Sequence, residues 1–373
     1  MNKTLSYVLL TPYTVIKGRA GGVLSRLLSQ TDLELIGAKM FVSDKEFAKK
    51  YADTIRARDP QNQIMLLADY AEKHFVSSTE NQGRALLFLF YGENPCEKLL
   101  NICGHLYPRD EQAELITGET VRGTYSDLIF SVENPEEVRY FEPAVYTPRN
   151  QKEANEDLRM IANFLDGKEN LIQNILYNEP SKVERTLVII KPDNWKHSSS
   201  RPGAIIDMFS RTGLRVIGVK IHRFSLGQAI EFYGPVEPFL IEKLAPIFGN
   251  KAKELLEKEF GFNISGEVSQ TLFEEFGVEY AKNQFNQIIE FMTGNMCMIL
   301  VYEGENAVQK IRDVLGATDP SKAADGTVRR EFGSNVMVNT AHASDSIESY
   351  EREQNIVKVN ENSIVSIIRE HAG

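Results

Sequence analysis

Gly203-Ala204-Ile205-Ile206-Asp207-Met208-Phe209-Ser210-Arg211-Thr212-Gly213-Leu214-Arg215-Val216-Ile217-Gly218-Val219-Lys220 is a pattern that this chain writes twice. Gly22, Ser29, Thr31, Leu33, Ile36, Gly37 and Lys39 return as Gly203, Ser210, Thr212, Leu214, Ile217, Gly218 and Lys220, each pair 181 positions apart (203 − 22, 220 − 39) with no gap. Agreement of that kind marks an internal duplication. Working outward, the strand-like Leu187–Ile190 and Lys191-Pro192-Asp193 precede the second copy, as Ser6–Leu10 and Thr11-Pro12-Tyr13 precede the first. Further on, Gly104-His105-Leu106-Tyr107-Pro108 answers Gly316-Ala317-Thr318-Asp319-Pro320, and Thr120-Val121-Arg122 answers Thr327-Val328-Arg329. The chain is thus expected to hold two domains of one fold, 1–165 and 183–373, with 166–182 as a polar, turn-forming join in which Leu171–Leu176 is read as helical. Within each copy strands alternate with helices, which predicts two tandem ferredoxin-like α/β sandwiches, each an antiparallel sheet with helices over one face. Amphipathic runs such as Lys251–Phe260 and Tyr280–Met292 add a helical insertion around 236–281 to the second copy.

With 373 residues, 42% hydrophobic and 25% charged, the composition is that of an ordinary globular chain with room for two cores. The formal charge of −10 disfavours nucleic acid and anionic membranes as partners, because both want a cationic face. Nucleotides need only a local cluster of cations. The longest apolar runs, Ala85–Tyr91 and Met296–Tyr302, are too short to span a bilayer, and Met1–Pro12 lacks the apolar core of an export signal. Cys96, Cys103 and Cys297 make no disulfide framework and no CxxC pair, so a reducing cytoplasm is expected.

The chemistry concentrates near the C-terminal end, in Asn339-Thr340-Ala341-His342-Ala343-Ser344-Asp345-Ser346. One histidine stands among small residues and is followed at once by helix-start chemistry from Asp345 or Ser346. Asp345, Ser349 and Glu353 recur at spacings of four and share one helical face. If that helix folds back, Glu353 reaches the imidazole, fixes its tautomer and leaves the other nitrogen as a nucleophile. Elsewhere in the second copy Lys191 ends a strand, Arg312 sits on a helix, Arg329 and Thr318 lie in loops, and Tyr233 and Phe285 fall in the helical region. Taken singly, these are surface charges, turn residues and core aromatics.

Taken together they resemble the nucleoside diphosphate kinases. The resemblance is carried by Val188-Ile189-Ile190-Lys191-Pro192-Asp193, Leu315-Gly316-Ala317-Thr318-Asp319-Pro320, Gly326-Thr327-Val328-Arg329 and the run from Asn339 to Ser349, in that order. It spans most of Val183–Lys358; the stretch Val236–Ala281 and the loop Asn194–Pro202, with Trp195 and a solvated His197, are longer than the family's. It implies that His342 takes the γ-phosphoryl group of a nucleoside triphosphate as a phosphohistidine and passes it to a nucleoside diphosphate. It further implies that Glu353 orients the ring, that Lys191, Arg312, Arg329 and Thr318 hold the phosphates, and that Tyr233 and Ser344 lie at the transferring group. Asn339 would hold the sugar, Phe285 would stack on the base with Val336 packed beside it, and Mg²⁺ would ride on the phosphates.

The first copy lacks this set. Thr11 stands for Lys191, Leu100 for Arg312 and Leu106 for Thr318, while Arg122 and Tyr51 survive as counterparts of Arg329 and Tyr233. Anchoring on the helix Lys152–Phe164 puts Tyr146 opposite His342. A copy without a nucleophile is expected to be a structural or regulatory partner of the second, paired with it within the chain, with further homo-oligomerisation left open. The alternatives are a non-catalytic nucleotide-binding protein and, more remotely, an RNA-binding ferredoxin-like module; the acidic balance and the lack of an aromatic Lys/Arg-Gly-Phe strand weigh against the latter.

Overall fold

The computed structural model describes residues 3–58, 63–76, 83–105, 118–134, 137–173 and 175–372. The chain forms two compact units, Met1–His222 with Cys297–Gly373, and Arg223–Met296. In the first unit the opening elements are β1 (Thr4–Leu10), α1 (Pro12–Ile16), α2 (Ala20–Ser29), β2 (Glu34–Val42), α3 (Lys45–Arg58), α4 (Gln63–His74), β3 (Arg84–Gly92), α5 (Pro95–Cys103), α6 (Val121–Tyr125), the hairpin β4 (Asp127–Phe130) and β5 (Val138–Glu142), β6 (Val145–Tyr146) and α7 (Gln151–Leu165). Four of the strands make an antiparallel sheet in the order β2-β3-β1-β6.

The second pass begins with β7 (Val183–Ile190), α8 (Arg201–Ser210) and β8 (Arg215–His222). The chain then builds the helical unit from α9 (Leu226–Tyr233), α10 (Val236–Phe260), α11 (Gly266–Thr271), a π-helical stretch Leu272–Gly277 and α12 (Val278–Thr293). Back in the first unit come β9 (Cys297–Glu305), α13 (Ala307–Leu315), α14 (Val328–Phe332), β10 (Ala341–Ala343), α15 (Ile347–Ile356) and α16 (Ile364–His371). The second sheet reads β8-β9-β7-β10, antiparallel throughout. Both sheets thus have the split order of a ferredoxin-like fold, with the first two strands parted by the third. Their shared origin shows in detail. Gly37 and Gly218 each follow a register shift against the neighbouring strand, and Asn94 and Asn306 both sit at a positive φ (50° and 53°) ahead of α5 and α13.

The expectation of helices over one face of each sheet needs correcting. Six of the seven β1 residues are buried, so both faces of the first sheet are covered. Leu5, Tyr7 and Leu9 point into a core with Phe47 and Tyr51 of α3, Ala68 of α4 and Leu158 of α7, while α5 also packs on β1. A strand apolar on both faces has no solvent side to offer, and the continuous run Tyr7–Leu10 reports this.

Into the same core go Ile364, Val365, Ile368 and Ala372, which come from the far end of the chain. In return Asn170–Ile172 crosses to the second sheet: the Ile172 amide donates to the Ile217 carbonyl at 2.9 Å and the Asn170 amide to that of Asn360 at 2.9 Å. These bonds commit the backbone to partners elsewhere in the chain, and the helix read into Leu171–Leu176 does not form among its described residues. The exchange is near-symmetric. A Cβ on Gly37 would come within 2.9 Å of Ile364 Cδ1, and one on Gly218 within 2.3 Å of Leu171 Cδ2. Helices α2 and α8 meet closely as well: a Cβ at Gly21 would lie 2.4 Å from the Gly203 carbonyl oxygen, and one at Gly203 2.3 Å from that of Gly21. Only glycine allows two helices so near an approach.

Candidate active site

β10 sets the site by its pairing. Ala341 lies opposite Ile190, His342 opposite Ile189 and Ala343 opposite Val188, so the histidine stands at the end of β7 where Lys191 and Pro192 stop the strand. The Lys191 amide donates to the Thr340 carbonyl at 3.0 Å. Thr340 has φ of +74°, unusual for a β-branched residue. Neighbours hold it there: Asn194 Nδ2 donates to its carbonyl at 2.8 Å and Arg201 to its Oγ1 at 2.6 Å. Arg201 also donates to the Phe332 carbonyl and to Asp193. Backbone strain enforced by surrounding groups is characteristic of sites that must hold a shape. Neither Asn194 nor Arg201 was singled out from the sequence, since both act on Thr340, which lies far along the chain.

After β10 the chain turns into α15, capped by Ser346, whose Oγ accepts from the Ser349 amide at 3.1 Å. The helix folds back as its capping chemistry suggests. Both Glu353 oxygens lie 3.0 Å from His342 Nε2, and the Ser344 hydroxyl donates to Glu353 Oε2 at 2.8 Å. Ser344 and Glu353 are buried, whereas the His342 ring keeps 21% of its surface open. A carboxylate gripped on the protein side and facing Nε2 holds a proton on that nitrogen, which puts the imidazole lone pair on Nδ1. Ser344, expected at the transferring phosphoryl group, thus stands between β7 and the acid that faces His342.

Three cations converge on the segment that carries His342. Arg329 donates to the Gly316 carbonyl at 3.0 Å and the Ala341 carbonyl at 3.2 Å, and lies on the short helix α14 rather than in a loop. The exposed Arg312 donates to the Asp345 carbonyl at 3.1 Å. Lys191 is 7% exposed and gives its ammonium to Asn339 Oδ1 at 2.8 Å, while Asn339 Nδ2 reaches the Thr318 carbonyl at 3.1 Å. Burial, with Arg329 nearby, brings the Lys191 ammonium down to about 7. Thr318 and Val336 are exposed on the same loops. Tyr233, buried and 5.1 Å from Phe232 ring to ring, and Phe285, buried on α12, both belong to the helical unit. His197 is exposed in its loop, and Trp195 donates to the Ile190 carbonyl at 3.2 Å.

The same backbone recurs in the first sheet with its chemistry replaced. Tyr146 pairs with Leu9 as His342 pairs with Ile189, and the Thr11 amide donates to the Ala144 carbonyl at 3.0 Å, where Ala144 has φ of +54°. Arg122 bonds the Gly104 and Val145 carbonyls, as Arg329 bonds those of Gly316 and Ala341. Carrying the register onward (342 − 146 = 196) puts Asp157 at the place of Glu353, and its carboxylate is taken by the Tyr7 hydroxyl at 2.8 Å and by Arg58 at 2.7 Å. Tyr146 is 3% exposed and donates to the Leu67 carbonyl at 2.6 Å, while Tyr51 bonds Tyr7 at 2.9 Å. Leu106 lies outside the described residues. A Tyr146→His change in a chain that also carries His342→Ala is expected to regain no protein-bound phosphate, because a sealed ring over an occupied acid has no approach for a substrate. Label on the double variant would show otherwise.

Among the described residues no helix is long and apolar enough to cross a membrane. A family model described as nucleoside diphosphate kinase matches residues 256–362. A nucleoside diphosphate kinase of Anaeromyxobacter sp. (strain Fw109-5) is 34% identical over 166 residues, covering 44% of this chain and 83% of that protein. Another, from Halorhodospira halophila, is 34% identical over 171 residues, covering 46% of this chain and 89% of its own length. A crystal form of the Aquifex aeolicus nucleoside diphosphate kinase aligns over 47% of this chain and 94% of its own at 28% identity, with a TM-score of 0.32. An NDP kinase from Pyrobaculum aerophilum aligns over 48% and 100% at 26% identity, with a TM-score of 0.35.

Proposed function

This chain belongs to the nucleoside diphosphate kinase family, and on that premise we propose that its second copy moves the terminal phosphoryl group of a nucleoside triphosphate to a nucleoside diphosphate by way of His342. The observation that carries the reading is the pair of Glu353 oxygens 3.0 Å from Nε2. In the first half-reaction the Nδ1 lone pair attacks the γ-phosphorus; a P–N bond forms, the bond to the β–γ bridging oxygen breaks, and the diphosphate leaves with the electron pair. In the second, a terminal oxygen of a different diphosphate attacks the phosphorus and the P–N bond breaks. Glu353 offsets the positive charge the ring gains in between, and Ser344 is a positioning residue for Glu353. Lys191, Arg312 and Arg329 neutralise phosphate oxygens, with Asn339, Thr318 and Val336 completing the nucleotide's surroundings in this unit. Tyr233 and Phe285 lie in the other unit. Among the described residues no three His, Cys, Asp or Glu side chains gather where they could hold a metal ion. In this proposal Mg²⁺ would ride on the nucleotide phosphates, where it would supply further positive charge on oxygen. The first copy, 1–165, stands in this reading where a partner subunit would, as support for the second.

The whole chain incubated with γ-labelled ATP should take up acid-labile, base-stable label that any nucleoside diphosphate discharges. Absence of label sinks the proposal. The lowered Lys191 ammonium adds a pH dependence. Between about 7 in the folded chain and the ordinary 10.5 when unfolded, the unfolded state holds the extra proton, so this lysine makes stability rise with pH across that window. Bound phosphate should recharge the amine, so nucleotide binding near pH 8 is expected to take up close to one proton. Calorimetry in two buffers of different ionisation enthalpy measures it. Lys191→Met should abolish that uptake and weaken binding roughly tenfold to a hundredfold; unchanged uptake would remove Lys191 from the phosphate site.

A further inference from the structure

A cavity of about 310 Å³, walled by both sheets, lies away from His342. Met40, Leu86 and Phe88 line it from the first sheet and Val219, Met298 and Leu300 from the second. The size is at the lower end of pockets that hold small molecules. Two buried polar groups interrupt this apolar wall. Arg84, the first residue of β3, is 7% exposed; it donates once, from Nη1 to the Val216 carbonyl at 3.0 Å, and its Nε has no partner among the described residues. Tyr302, the cross-strand neighbour of Val216, is 1% exposed and its hydroxyl likewise lacks a partner among the described residues. Arg215 also lines the cavity, and its charge adds to that of Arg84. The acid that could offset them, Glu303, is committed to Arg185 at 2.6 Å and to the Tyr177 hydroxyl at 2.9 Å. Burial and the neighbouring Arg215 bring the Arg84 guanidinium down to about 10, still charged at neutral pH.

The buried Arg84 guanidinium is met directly by one backbone carbonyl and feels Glu303 only at a distance, so it has no anion in contact with it among the described residues, whereas buried charges are ordinarily paired. In the alignment of the copies Gly92 matches Gly304 (304 − 92 = 212), so Arg84 falls opposite Met296 and the charge is not a demand of the shared fold. The geometry points to a second ligand site, for a small monocarboxylate with an apolar tail, its head on Arg84 with Tyr302 donating and its tail among Leu86, Phe88, Met298 and Leu300. A monoanion suits the site better than a phosphate, since Glu303 already offsets part of the charge of the two arginines.

The test uses the whole chain without nucleotide, titrated calorimetrically with decanoate and with decan-1-ol. One decanoate per chain is expected, bound at least tenfold tighter than the alcohol. Arg84→Met should fold, because it removes an incompletely paired buried charge, and its affinity for decanoate should drop tenfold or more while that for the alcohol holds or rises. Equal binding of acid and alcohol by the unaltered chain overturns the assignment without reference to any variant. So does an Arg84→Met chain that keeps its decanoate affinity, or no saturable decanoate binding at all.

Discussion

Replacing His342 with alanine should lower phosphate exchange by on the order of 10⁴-fold or more, since removing a covalent nucleophile takes away the route itself rather than one contact along it. The change should remove all label transferred from γ-labelled ATP, while nucleoside diphosphate still binds with affinity within a few-fold of the unaltered chain, because Lys191, Arg312 and Arg329 remain. The substitution leaves Glu353 with Ser344 at 2.8 Å and Arg352 at 3.6 Å, so the carboxylate is not stranded. Circular dichroism and the unfolding midpoint report whether the fold survives. If exchange persists within tenfold of the unaltered rate, the phosphoryl group travels by a path that does not involve this ring.

The second large effect concerns stability and is read from the wrong end of the chain. Ile364, Val365 and Ile368 of α16 are 1%, 7% and 1% exposed, and they are buried in the core of the first sheet, not the second. At about 1.5–3 kcal/mol for each buried aliphatic side chain, removing α16 takes roughly 5–9 kcal/mol from a fold of which the whole net stability is typically about 5–15 kcal/mol. A chain ending after Ser363 is therefore expected to lose the cooperative unfolding of its first copy at room temperature, although no residue of that copy has been altered. Ile368→Ala is the gentler version, and about 2–5 kcal/mol should be lost in denaturant melts. A truncated chain that melts at the midpoint of the full one would show that α16 only rests on this core.

What the sequence revealed and what it hid divide along physical lines. The duplication was legible because Gly37 and Gly218 are needed for the same reason: each lets a foreign aliphatic side chain lie against a sheet backbone. The alignment of Tyr146 with His342 held because it was anchored on a helix, and the expanded Tyr125–Glu142 proves to be a hairpin, β4 and β5, that leaves the flanking register untouched. Glu353 was legible through helical spacing and a cap. Asp157 was not, since nothing local to it tells that Arg58 and Tyr7, from other elements, occupy it. The grip of Asn194 and Arg201 on Thr340 was hidden for a similar reason, as was the reciprocal crossing of Asn170–Ile172 and α16. Each joins places more than forty residues apart and leaves no periodic trace.

That crossing also sets a schedule. A ribosome makes the chain from Thr4 onward and reaches Ile364 only 360 residues later. At about 5–20 residues per second, roughly 20–70 s pass between the first strand and the helix that closes its core. For that interval the nascent leading half has an open apolar seam, a natural client for whatever shields hydrophobic surface during translation.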